Sequence, residues 1–133
     1  MHEPPTDDLV LALREVVGEG KHFGHREHLH LAWLAIHHDG PNAEATLTRW
    51  LWEIATRHGM PERFHATLTA AWVRLVSHHL AGDPGGGDFE GFLARNPGLL
   101  DSTLVGRHYR PGTLHTSTAR QRWVPPDRVA LPA

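Results

Sequence analysis

Cysteine is absent from this chain, which excludes disulfides, thiolate metal centres and cysteine nucleophiles and leaves only nitrogen and oxygen ligands for any metal. A strong charge of one sign is also missing. The formal net charge is -2, and Lys and Arg are scattered rather than clustered, so no nucleic-acid footprint is expected. No apolar run approaches the ~20 residues needed to span a bilayer. The opening MHEPPTDD lacks the basic, apolar, small-residue order of a signal peptide, so we expect a cytoplasmic protein with no membrane partner. Alternating strand patterns are missing too. The run Gly85-Gly86-Gly87 has no Lys, Ser or Thr at phosphate-loop spacing and reads as a linker.

What is there in excess is histidine, with 13 in 133 residues. Imidazole serves as metal ligand, general base or pH switch, and the count alone does not choose among them. Position says more. The stretch from His22 to His38 holds His22, His25, His28, His30, His37 and His38 in an otherwise apolar run. On a helix, residues three or four apart share a face, so His25, His28 or Leu29, Ala32 and Ile36 form one stripe toward the interior.

The spacing predicts an all-α, single-domain bundle over residues 1–133, with four main helices, short C-terminal helices and a wrapping tail. Helix one has Thr6 or Asp7 as its N-cap and stops at Gly18 and Gly20; helix two runs from about His25 to His38. Pro41 opens helix three, which Gly59 closes, and Pro61 opens helix four, which ends at Gly82. Short connections favour an antiparallel arrangement. Asp88 caps a short helix carrying Phe89, Phe92 and Leu93, another helix is expected from about Leu99 to Tyr109, and Trp123 anchors the tail. Trp33, Trp50 and Trp72 are core candidates, and Trp52 is exposed or packed under the tail.

In such a bundle the C-terminal ends of helices one and three meet the N-terminal ends of helices two and four. That end collects Glu15, Glu19, His22, His25, Glu27, His28, Glu53, His58, Glu62 and His65. Two ligand sets compete there. His25, His28 and His65 make a three-nitrogen site with an open position for one divalent metal, Zn, Cu or Fe, with Glu27 as base and Thr69 on the same face. Alternatively, Glu27 with His30 and Glu62 with His65, joined by glutamates of helices one and three, match the di-iron carboxylate pattern of ferritin-like bundles. The first set ranks higher because Glu27 and Glu62 fall in first turns, where the helix dipole already accounts for an acidic residue. The competing reading of the histidines is a non-catalytic module in which they are core partners or a pH-responsive switch.

The remaining histidines carry less. His37, His38, His78 and His79 suit helix C-termini, and His79 lies about 21 Å along the helix from His65. His2, His108 and His115 read as surface or tail.

Phe23, His25, Glu27, His28, Leu29, Ala32 and Trp33, followed by His65, Thr67, Leu68, Thr69 and Trp72, resemble the paired F-x-H-x-[DE]-H-L and H-x-T-L-T motifs of a family of small uncharacterised bacterial all-α proteins. Tyr109, Ala119-Arg120 and Pro126-Asp127 are similar to that family's ending. The resemblance covers most of the chain and supports the choice of His25, His28 and His65; it implies no reaction. The expected function is a histidine-ligated, metal-dependent enzyme acting on a small molecule.

Overall fold

A computed structural model describes residues 7–17, 23–83 and 85–132. Thr6, Glu19 and His22 lie outside the described residues. The protein is an all-α bundle, without strands among the described residues. Helices α1 (Asp7–Val17), α2 (His25–Asp39), α3 (Ala43–Arg57) and α4 (Ala66–Ala81) form its body, followed by α5 (Phe89–Arg95), α6 (Pro111–Leu114) and α7 (Ser117–Gln121).

Helix α2 is the centre, packed against α1, α3 and α4. Its five consecutive residues Leu31, Ala32, Trp33, Leu34 and Ala35 are all buried. A helix enclosed on every side needs no polar face, so the single inward stripe expected from spacing widens here to the whole circumference. The neighbours are ordinary amphipathic helices: α1 buries Leu9 and Ala12 and leaves Leu11 exposed, while α3 buries Leu47, Trp50 and Leu51. Each fully buried leucine contributes about 1.5–3 kcal/mol.

Three boundaries differ from expectation. Pro41 does not open α3; it sits in a separate 3-10 turn, Gly40–Asn42, and α3 begins at Ala43. Pro61 does not open α4; Pro61–Arg63 forms a separate 3-10 turn, Phe64 is extended, and His65 is the N-cap of a helix that begins at Ala66. Residues 99–109 are not one helix. They are split into the 3-10 turns Pro97–Leu100 and Leu104–Arg107, because Asp101 Oδ1 accepts from the backbone N–H and the hydroxyl of Thr103 at 2.9 and 2.6 Å. Such local side-chain bonds compete with a helical ladder.

The tail is tied to the bundle by polar bonds as much as by apolar ones. Thr67 on α4 is completely buried; its hydroxyl donates to the Arg122 carbonyl (2.9 Å) and accepts from the Val124 N–H (3.1 Å). Tyr109, also fully buried, donates its hydroxyl to the Val124 carbonyl at 2.6 Å. His108 is not a surface residue: it is buried and its Nδ1–H donates to the Val129 carbonyl at 2.8 Å. Trp123 is half-buried, with the Arg74 guanidinium 4.0 Å above its ring.

Thr67→Val keeps the volume of this anchor and removes both bonds, leaving the partly buried Arg122 carbonyl and Val124 N–H without their Thr67 partner. We expect a loss of about 1–3 kcal/mol in urea unfolding, together with faster proteolysis after residue 110. Unchanged proteolysis would show that the tail's other contacts hold it without Thr67.

Candidate functional site

The ends of the four main helices converge on one open cavity of about 1020 Å³. Leu13 and Arg14 come from the end of α1, and Gly24, His25 and His28 from the start of α2. Ile54, Ala55, Arg57 and His58 come from the end of α3, and His65, Leu68 and Thr69 from the start of α4. The body of the cavity is apolar, with Leu47, Leu51, Phe64 and Trp72 among its walls. Concave, largely apolar sites with a few convergent polar groups are the usual form of a small-molecule pocket.

The three histidines singled out by sequence all line it, in different chemical states. His65 has both ring nitrogens engaged. Nδ1 accepts from the Leu68 N–H at 3.1 Å, capping α4, so the proton sits on Nε2, which donates to the Leu114 carbonyl at 2.7 Å. Burial holds its pKa below the usual imidazole value, opposed by the bond to Leu114. His25 Nε2 donates to the Leu99 carbonyl at 2.8 Å, which leaves Nδ1 as the acceptor, and its ring meets Trp72 edge-on at 4.6 Å.

His28 is the exception. Neither of its nitrogens is hydrogen-bonded among the described residues. Its side chain is exposed at the open cavity, so both nitrogens are within reach of solvent, while one side of the ring packs on Phe23 at 4.6 Å between ring centroids. Partial desolvation by the neighbouring protein atoms, reinforced by His25 and opposed by Glu27, lowers its pKa from 6.5 to about 4. At neutral pH it is an uncharged imidazole with one donor and one acceptor.

Other expected site residues are placed elsewhere. Glu27 is not in the cavity wall; its Oε1 accepts from the Gly24 N–H at 2.7 Å and closes the first turn of α2, the role that helix-end electrostatics already supplied. The di-iron set is not assembled. Glu62 is exposed in the 3-10 turn and His65 precedes α4, so the two do not share a helix. His30 stacks on Phe89 at 4.2 Å and lies 3.8 Å from Glu15, while Glu53 pairs with Arg57 at 3.3 Å. Among the described residues no three His, Asp or Glu side chains are grouped to hold one metal ion.

Sequence reasoning missed the arginines. Arg14, Arg57 and Arg63 line the cavity and are exposed, which puts them at its rim. They looked scattered along the chain; counting charges by helix end would have found them. Trp72, taken for core, is a wall of the cavity.

No protein-family model, no curated protein and no solved structure matches this chain.

The lowered pKa values carry a stability signature. His28 and His65 are held below 6.5 in the folded state, whereas the unfolded chain binds protons near 6.5. Folding stability is therefore full above pH 6.5 and declines as the pH falls from there toward about 4, where the native His28 also takes its proton. His28→Gln removes one of these contributions. We expect a shallower decline between pH 6.5 and 4 in urea midpoints of the variant; parallel curves would mean that His28 titrates normally.

Proposed function

We propose that this protein binds a small, largely apolar molecule in the cavity at the converging helix ends, with His28 meeting the ligand's polar group. The observation that carries this reading is the cavity itself, apolar in its body, with the exposed His28 imidazole at its wall and both ring nitrogens free of protein partners among the described residues. Such a group can donate to or accept from a ligand heteroatom, and it is also a base of unhindered reach for a proton delivered by the ligand. His25 and His65 have their outer bonds to Leu99 and Leu114, so they act as fixed walls that position it.

A second reading has one observation in its favour. Metal-binding histidines commonly have their outer nitrogen held by a carbonyl, and His25 is held in that way by Leu99. A metal-dependent enzyme would use His25 Nδ1 and His28 with water or ligand atoms, and would need His65 to exchange its cap on Leu68 for the metal. Copper, zinc and iron(II) all accept such imidazole ligands. Elemental analysis of untagged protein beside His28→Ala decides it, with about one metal per chain lost in the variant as the supporting result.

The binding reading is tested with a neutral fluorescent probe, N-phenyl-1-naphthylamine. We expect one site per chain with a dissociation constant on the order of micromolar, and quenching of tryptophan emission that is reduced in Trp72→Phe. Ala55→Trp, placed in the cavity wall, should abolish binding while keeping the helical circular dichroism. Failure of the probe to bind the wild-type protein would overturn the reading.

A further inference from the structure

We infer that the ligand of this cavity is an amphipathic carboxylate, an apolar chain or ring system with its anionic head at the arginine rim. The inference rests on the binding reading above and adds the sign and place of the charge. Every ionisable side chain in the cavity wall among the described residues is an arginine or a histidine; no Asp or Glu lines it. The asymmetry is local, because the whole chain has 15 acidic residues against 13 Lys and Arg.

Helix dipoles do not produce it. Two positive ends, of α2 and α4, and two negative ends, of α1 and α3, meet at the cavity, so their fields oppose one another to first order. The α3 end is further closed by backbone bonds from His58, Gly59 and Met60 to its last carbonyls, at 3.2, 3.0 and 2.8 Å. The sign of the site is therefore set by side chains. Of the three rim arginines, Arg57 is paired with Glu53, whereas Arg14 and Arg63 make no ion pair among the described residues. A guanidinium offers two parallel N–H donors to a carboxylate, which makes arginine the better host for a planar two-oxygen anion than for a diffuse one.

The depth of the site fixes the rest of the ligand. Inward of the arginines the wall is Leu51, Ile54, Leu68 and Trp72, while His28, exposed like the arginines, stands at the mouth beside them. A second anionic group placed there would have no cationic partner and would bear the cost of burial unpaired. The occupant consequently carries its charge at one end. A cationic amphiphile meets the wrong rim, and a neutral one leaves the guanidinium groups without their partner.

Three ligands of equal chain length separate these cases: decanoate and decyltrimethylammonium below their micelle concentrations and decan-1-ol below its solubility limit, titrated by displacement of the neutral probe. We expect decanoate to bind about tenfold tighter than decan-1-ol, the size of one charge-assisted hydrogen bond, and the cation to bind weakest. Arg14→Gln/Arg63→Gln should remove that preference, while leaving decan-1-ol affinity within about twofold. Arg107→Gln/Arg110→Gln, which removes equal charge away from the cavity, should retain it. Equal affinity for decanoate and decan-1-ol, or a preference that survives the rim variant, overturns the carboxylate assignment while the apolar-binding reading stands. If the neutral probe itself does not bind, both fall.

Discussion

The His65 imidazole holds together parts of the molecule that the chain connects only remotely. One nitrogen caps the start of α4 and the other ties that point to the Leu114 carbonyl, 49 residues on. Because both bonds need the neutral Nε2–H tautomer, the ring cannot take a proton without giving up the cap. Capping is worth about 1 kcal/mol on its own, but here it also fixes the segment 110–132 over one side of the bundle. The Thr69 hydroxyl donates to the His65 carbonyl at 2.8 Å, so the cap residue is held by its backbone as well as its ring.

Around that point the bundle makes a division of labour. The middle of α2 is enclosed and excludes water; its N-terminal turn, with His25 and His28, opens into the cavity. The same helix thus carries both fully enclosed residues and an exposed imidazole at the cavity. The histidine content splits along that line. His37 donates Nδ1–H to the Trp33 carbonyl at 2.8 Å, and His79 bonds Asn96 at 3.2 Å; these tie off helix ends. His28 has no such bond. His28 is exposed at the cavity, so its nitrogens are open to solvent or to a ligand rather than committed to the fold.

The main helices and their convergence were legible in the sequence because they rest on local signals, apolar spacing and Gly stops; the Pro signals marked the connections but not the first residues, since Pro41 and Pro61 both sit in separate 3-10 turns. The start of α4 was not, since Pro61 carries the usual N1 signal while the actual cap is a histidine, outside the residues that normally accept from a free amide. The expected helix over 99–109 failed for a similar reason, with Asp101 and Thr103 diverting the backbone into turns. Placement of His25, His28 and His65 around one cavity followed from topology. Their hydrogen-bond states did not, because they depend on the carbonyls of Leu99 and Leu114, at separations of 74 and 49 residues, which no local pattern encodes.

Glu27 shows how the same physics separates a structural from a chemical role. A carboxylate in a first turn has two outlets, the backbone N–H of the cap or a partner in the cavity. Its Oε1 takes the first, and its charge reaches His28 only as a modest upward influence, outweighed by desolvation. Had Glu27 turned toward the cavity, a nearby carboxylate would have favoured the charged imidazole and offset the arginine rim. Turned back onto Gly24, it leaves the interior of the cavity neutral and its margin positive, the combination that an apolar molecule with a single anionic end would meet with complementary surface throughout.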